Sequence, residues 1–149
     1  MIDVGDKKIT KRSAEAHASM YLGAKVVSAL QKNDLNSKKG PVFQTAIIAG
    51  IQGVKKTSDL IPMCHPLPLN GISIDIDFID DESILIRCRV NMEGKTGVEM
   101  EALTGASIAA LTIYDMCKSL SQEMRIEQVR IVEKKGGKSD IDLRNSSNI

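Results

Sequence analysis

Two runs of alternating residues near the middle of the chain dictate most of what it can fold into. Ile72, Ile74, Ile76 and Phe78 alternate with Ser73, Asp75 and Asp77; Ile84, Ile86, Cys88 and Val90 alternate with Leu85, Arg87 and Arg89. A period of two sends one set of side chains to each face of a strand. The polar turn Asp80-Asp81-Glu82 joins the runs into an antiparallel hairpin. Its aliphatic face must be covered, while its Asp and Arg face can pair across the strands in water.

The rest of the chain supplies the cover. Ala14, Ala16, Ala18 and Met20 alternate with Glu15, His17 and Ser19, which reads as another strand. Leu22, Val26, Ala29 and Leu30 sit at helical spacing, a short helix over residues 22–31, and residues 32–40 read as a polar loop. Pro41 fits the first position of a helix running to about Lys56, where its missing N–H costs nothing. Ala46, Ile47, Ala49, Gly50, Gly53 and Val54 give that helix a small-residue face able to approach a neighbour closely. Pro62, Pro66 and Pro68 exclude regular helix from residues 57–70. The longest helix spans residues 98–120, with Thr96 and Glu99 spaced as a capping box. Residues 125–133 form a last strand, which Gly136-Gly137 breaks. Leaving out the short helix near the N-terminus, the order is βαββαβ: an α+β, ferredoxin-like antiparallel sheet with helices on one face. Residues 1–138 make the single domain that 149 residues allow, and residues 139–149 are expected to be a polar tail without order.

The long helix carries the most information about function. Leu103, Ala106, Ala110, Ile113, Cys117 and Leu120 form one face, suited to the sheet. Thr104, Ile108, Leu111 and Thr112 form another, with Asp115 and Lys118 among them. A helix apolar nearly all round is buried on both sides, so the second side is expected to meet another subunit. Asp115 and Lys118 then make either an ordinary i,i+3 ion pair or a working pair at the edge of a desolvated region. The capping box accounts for Glu99 but not for Glu101. Glu101 and Asp115 are separated by roughly 21 Å of helix at ~1.5 Å per residue, too far to reach one substrate atom. If both serve one reaction, one comes from another subunit or the substrate is long. His65 stands between Pro62 and Pro66, in a loop that pins its direction. The adjacent Cys64 and His65 lack the further spaced ligands of a zinc site, so no metal is expected there. His17, within a strand, reads as structural.

Several function classes are disfavoured. A formal net charge of +1 and an aromatic content of 3% give neither a basic footprint nor a stacking surface, so no nucleic-acid partner is expected. No apolar run approaches the ~20 residues of a membrane span, and no secretory leader is read at Met1-Ile2-Asp3-Val4. Three widely spaced cysteines, Cys64, Cys88 and Cys117, suit reduced thiols in the cytoplasm. Gly94-Lys95-Thr96 and Gly137-Lys138-Ser139 look like pieces of a phosphate loop, but Arg89 and Val132 stand where its first glycine must be. Phosphate would therefore be held by separate side chains, with Arg12, Lys38, Lys39, Lys118, Lys134, Lys135 and Lys138 as candidates, most of them ordinary surface charges.

Four segments carry a resemblance. Thr57-Ser58-Asp59-Leu60-Ile61-Pro62-Met63-Cys64-His65-Pro66-Leu67 resembles the central loop of the cyclic pyranopterin monophosphate synthases of molybdenum cofactor biosynthesis. Gly94 to Thr104 and Ala110 to Lys118 resemble that family's signature helix, and Gly136-Gly137-Lys138-Ser139 its C-terminal glycine segment. The resemblance implies a lyase that converts (8S)-3′,8-cyclo-7,8-dihydroguanosine 5′-triphosphate into cyclic pyranopterin monophosphate and pyrophosphate. It implies a homo-oligomer, a hexamer built as a trimer of dimers, with active sites between subunits. Asp115, Lys118 and Lys39 resemble the catalytic residues. Met63, Cys64, His65, Glu99, Met100 and Glu101 resemble the substrate-binding segments, and Lys134 and Arg12 match basic residues near the phosphates. Pro41 stands where the family often has Asp, and Ser58 where some members have Trp. No resident cofactor is implied, and Mg²⁺ remains open as an assisting ion. The alternative is a non-enzymatic ferredoxin-like module that binds a ligand or nucleic acid.

Overall fold

A computed structural model of the chain describes residues 1–33 and 35–145. The elements run β1 (Thr10–Tyr21), α1 (Ala24–Lys32), β2 (Asn36–Ser37), β3 (Gly40–Pro41), α2 (Val42–Lys55), α3 (Thr57–Leu60), β4 (Gly71–Phe78), β5 (Ser83–Gly94), α4 (Glu99–Cys117), β6 (Arg125–Lys135) and β7 (Ile141–Asp142). The main sheet has the order β4-β5-β1-β6-β7, with every pairing antiparallel. Without the short β7 this is the ferredoxin-like strand order, and α2 and α4 cover one face.

Period two explains the two faces. Ala14, Ala16, Ala18 and Met20 of β1 and Ile84, Ile86, Cys88 and Val90 of β5 lie under the helices, each almost fully buried. Burial pushes the Cys88 thiol up to about 12 and the Cys117 thiol up to about 11, so both are unreactive core groups. The other face is charged. Arg89 reaches Glu15 at 2.8 Å and Asp75 at 2.7 Å, Arg87 pairs with Asp77, and His17 bonds Glu15 at 2.7 Å. The Asp–Arg pairs run diagonally, because Asp75 lies directly opposite Arg87 and Ser73 opposite Arg89.

Small residues set how closely the layers approach. A Cβ on Gly50 would sit 2.4 Å from Ile74 Cδ1 and 2.9 Å from the Gly105 carbonyl, and one on Gly105 would sit 2.5 Å from Val54 and 2.6 Å from the Cys88 sulfur. Gly53 lies likewise against Ile108, at 2.8 Å. The second apolar side of α4 is therefore covered largely by α2 of the same chain, which corrects the expectation that another subunit covers it. Leu111 on α4 and Ile48 on α2 remain 55% exposed, the apolar residue of that surface.

Four further expectations change. Thr57–Leu60 does form a helical turn, because the first proline comes only at Pro62 and the Thr57 hydroxyl extends the pattern by donating to the Val54 carbonyl at 2.9 Å. The capping box is not made: α4 begins at Glu99 with Val98 as its N-cap, which leaves Thr96 too far upstream to cap. Pro41 precedes α2 rather than opening it, since it pairs with Asn36. Part of the polar tail is ordered. Ile141–Asp142 pairs with Glu133 and Lys134 of β6, and Arg144 clasps Glu133 at 2.6 Å, so charge pairing holds what hydrophobic burial does not. Residues 146–149 of that tail lie outside the described residues.

The close contact predicts that Gly105→Val destabilises the fold by about 1–3 kcal/mol through overpacking. Urea unfolding of the two proteins measures this, and equal midpoints would refute the account of the α2–α4 contact.

Candidate active site

The functional side chains gather at the two ends of α4. At its C-terminal end the β2–β3 ladder turns the chain back on itself. Ser37 Oγ donates to the Gly40 carbonyl at 3.3 Å and accepts from the Lys39 amide at 3.0 Å, and Gly40 takes a φ of 107°. A left-handed backbone of this kind favours glycine. The turn delivers Lys39 to Asp115: Lys39 Nζ donates to Asp115 Oδ2 at 2.7 Å and to the Asp115 carbonyl at 3.1 Å. Lys118, one turn along the helix, reaches Asp115 Oδ1 at 2.7 Å. The two ammonium groups, Lys118 first, hold the Asp115 carboxyl down at about 2, and Asp115 in turn raises Lys118. At rest the cluster is thus one carboxylate between two cations, each about half exposed.

At the other end of α4, the loop before β4 places Met63, Cys64 and His65 beside Glu99, Met100 and Glu101, around a cleft of about 250 Å³. His65 Nε2 bonds the Ile2 carbonyl at 2.7 Å, which puts the ring proton on Nε2. Glu101 is only 4% exposed. Burial raises its carboxyl above the ordinary range; its own backbone N–H opposes this, and the nearby Glu99 charge adds to the rise. Burial likewise pushes the Cys64 thiol up, with the charge of Glu101 adding to it.

Thr96, Gly97 and Glu99 also line a second cleft, of about 440 Å³, where the ends of β1, β5 and β6 meet. Lys134 lies 3.4 Å from Glu99 there. Arg12 is oriented by the carbonyls of Gly94 and Lys95, each at 3.4 Å. Gly136, at φ 87°, lets β6 turn away from β1, since a Cβ there would strike the Lys11 carbonyl at 1.8 Å. Lys7, Lys8, Lys95, Lys135 and Lys138 also line it, and among the described residues Glu99 is the one carboxylate of that lining.

The sequence-derived residues therefore fall into two groups. Lys39, Asp115 and Lys118 come together at one end. Arg12, Met63, Cys64, His65, Glu99, Met100, Glu101 and Lys134 come together at the other. Within one chain the helix holds the groups apart. Lys7, Lys8 and Lys95 were not singled out as anion ligands from sequence. Lys95 carried a signal, its Gly-Lys-Thr context, although not in a phosphate loop. Lys38 lines a separate cleft beside Asn33 and Leu120. Among the described residues no group of three or more His, Cys, Asp or Glu side chains could hold a metal ion, and no helix is long and apolar enough to cross a membrane.

An aspartate clasped by two lysines at one end of α4, and a cation-lined cleft at the other, sit on a ferredoxin-like α+β scaffold. Residues 1–137 match the model of the MoaC family, and the chain belongs to that family. It is 51% identical to the cyclic pyranopterin monophosphate synthase of Xanthomonas campestris pv. campestris over 141 residues, covering 95% of this chain and 86% of that protein. The synthase of Campylobacter jejuni is 51% identical over 140 residues, 93% of this chain and 88% of the relative. A molybdenum cofactor biosynthesis bifunctional protein of Synechocystis is 49% identical over 145 residues, 95% of this chain but 42% of that longer protein.

The burial of Glu101 yields a prediction with a definite sign. A carboxyl raised by folding costs stability wherever it is ionised, and that cost vanishes below its unfolded value. Glu101→Gln should therefore melt at a higher temperature than the parent at pH 7 and lose the advantage below about pH 4. Thermal melts across that range check it, and an equal melting temperature at pH 7 would show that Glu101 bears no burial cost.

Proposed function

We propose that the chain is a cyclic pyranopterin monophosphate synthase of molybdenum cofactor biosynthesis, a lyase acting on (8S)-3′,8-cyclo-7,8-dihydroguanosine 5′-triphosphate. Family membership and the names of its relatives support the reading, and no feature of the chain favours a non-enzymatic module over it. The observation that carries the chemistry is Asp115 clasped between Lys39 and Lys118.

The reaction rearranges rings and closes a cyclic phosphate as pyrophosphate leaves. A sugar hydroxyl must lose its proton to attack the α-phosphorus, and ring opening and closure need protons delivered to nitrogen and oxygen. Lys118, kept protonated by Asp115, is a donor at neutral pH. Asp115 is a weak base while both lysines hold it. Drawing one lysine onto the substrate releases that hold and raises its basicity. Glu101 has the opposite environment and keeps its proton to higher pH, the separation expected of an acid and a base working together. His65, with its proton on Nε2, and the Met63, Cys64 and Met100 side chains would seat the base. Arg12 and Lys134 would meet the phosphates, with Lys134 exchanging Glu99 for the anion, and positive charge there favours pyrophosphate as leaving group. The reading includes no resident cofactor, and any Mg²⁺ would arrive with the triphosphate.

The two groups lie at opposite ends of a 19-residue helix. One pocket containing both thus needs two subunits, and a hexamer of three dimers in the cytoplasm completes the reading. Exposed Ile48 and Leu111 give such an assembly an apolar surface to cover.

Three outcomes are expected. Light scattering at micromolar concentration should give a multiple of the 16.2 kDa chain mass, and a monomer would end the shared-site reading. Asp115→Asn should fold normally and lose on the order of 10²-fold or more in turnover, the usual scale for proton-transfer groups. Parental turnover would remove Asp115 from the mechanism. Inactive Glu101→Gln and Asp115→Asn subunits, unfolded together and reassembled, should recover about a quarter of parental activity under random pairing. Background activity after subunit exchange, confirmed by mass spectrometry, would place the pocket within one chain.

A further inference from the structure

Two adjacent lysines stand at the tip of a very short ladder. β2 and β3 pair Asn36 with Pro41 and Ser37 with Gly40, so only Lys38 and Lys39 lie between them. The base of this ladder is anchored. Leu35 donates its N–H to the Leu30 carbonyl at 2.6 Å, and its own carbonyl accepts from Val42, the first residue of α2, at 2.8 Å. The tip is poorly suited to its turn. Two-residue hairpin loops favour turns with a positive φ at the first loop residue, because those match the twist of the flanking strands. Neither Lys38 nor Lys39 has a positive φ, and Gly40 takes the left-handed conformation only one residue later, at 107°. The turns open to such a tip splay the strands unless something else draws them together.

The Ser37 side chain supplies the missing tie. Its Oγ accepts the Lys39 N–H at 3.0 Å and donates to the Gly40 carbonyl at 3.3 Å, so one hydroxyl spans the turn. Among the described residues no other hydrogen bond reaches the Lys39 N–H. Lys39 has to be placed well, because its Nζ meets two acceptors of one residue, the Asp115 carboxylate at 2.7 Å and the Asp115 carbonyl at 3.1 Å. Both side chains are about half exposed. A solvated pair of this kind is weak unless its backbone is fixed, since it must offset the entropy of a long side chain. We propose that Ser37 is a positioning residue: its hydroxyl clamps the Lys38–Lys39 tip and so holds Lys39 on Asp115. The consequence for turnover rests on the synthase reading, in which Lys39 and Asp115 act on the substrate; the clamp itself does not.

The test reads Asp115 itself, in the full chain and without turnover. Lys118 and then Lys39 are the charged groups that hold its carboxyl down at about 2, and Tyr114 lies near enough to act on Lys118. Carbon-13 NMR titration of the side-chain carboxyls should show Ser37→Ala raising Asp115 toward the ordinary carboxylate range by about one pH unit, the effect of losing one nearby cation while Lys118 remains. Asp142, also held at about 2 but by Arg144, should not move. Lys39→Ala should raise Asp115 as much as Ser37→Ala does, and the two changes together no further, since both remove one contact. Ser37→Thr keeps the hydroxyl and should restore the parental titration. Ser37→Val keeps the shape of Thr without the hydroxyl and should titrate as Ser37→Ala does. With the cyclised nucleotide as substrate, Ser37→Ala should lower kcat by on the order of tenfold or more, with a smaller change in KM, and Ser37→Thr should recover it. The proposal is overturned if Asp115 in Ser37→Ala titrates as in the parent, if the Thr and Val variants titrate alike, or if the double variant shifts by the sum of the single ones. The Asp115 shift in a chain that does not convert the cyclised nucleotide would uphold the clamp and defeat the synthase reading. Conversion with Asp115 unmoved by Ser37→Ala would do the reverse.

Discussion

An uninterrupted helix packed between a sheet and a second helix cannot bring its two ends together, and that constraint governs the rest of this molecule. Gly50, Gly53 and Gly105 let α2 lie so close to α4 that none of the three positions has room for a Cβ. The alanines of β1 let α4 sit equally low on the sheet. Close packing of this kind leaves little room for a helix to bend or slide. The Glu101 and Asp115 carboxyls near its two ends are thus held apart. A reaction that used both would need a second copy of the helix or a substrate long enough to span the first.

The same helix gives its two ends opposite electrostatics. At its first turn Glu101 is buried beside the loop of residues 61–67, with Glu99 nearby. At its last turn Asp115 is exposed, and Lys39 and Lys118 flank it. Burial raises one carboxyl and paired cations lower the other, so two residues of similar chemistry hold their protons differently by location alone. The helix dipole favours an anion at the first turn, so the rise at Glu101 is achieved against it.

Much of the fold was legible because strands announce themselves by alternation. Ala14 to Met20, Ile72 to Phe78 and Ile84 to Val90 each kept the face that the period assigned them. The cover of α4 was not legible in the same way. Apolar residues on a helix say that a face is buried, not what buries it, and Ile108 meets Gly53 of the same chain. The capping box at Thr96 failed for a related reason: spacing shows that two residues could cap a helix, while the start of the helix at Glu99 decides whether they do. Glu99 instead faces Lys134. At the candidate site, the long motifs pointed to Met63-Cys64-His65, Glu101 and the Asp115–Lys118 pair, and each lies in one of the two groups. Lys7 and Lys8 carry no pattern at all, since exposed lysines occur throughout the chain. Only their place in the lining of the cleft, beside Arg12 and Lys134, distinguishes them.

The open face of the sheet shows what keeps the site end of the molecule in register. Glu15 is 4% exposed and would be costly there as a lone carboxylate. Burial raises its carboxyl, but the bonds from His17 and Arg89 outweigh this and hold it below the ordinary range. Arg89 in turn reaches Asp75 on β4, so one guanidinium ties three strands together. Glu133 lies opposite Glu15 on β6, and Arg144 draws the chain beyond β7 onto it. These pairs surround the stretch of β1 and β6 that leads into Arg12, Lys134 and Gly136. A one-residue slip of either strand would move Arg12 or Lys134 to the wrong face and leave Glu15 buried without its partners. The charged face therefore helps to place the cleft's cations, because breaking its pairs is the penalty for any register that misplaces them.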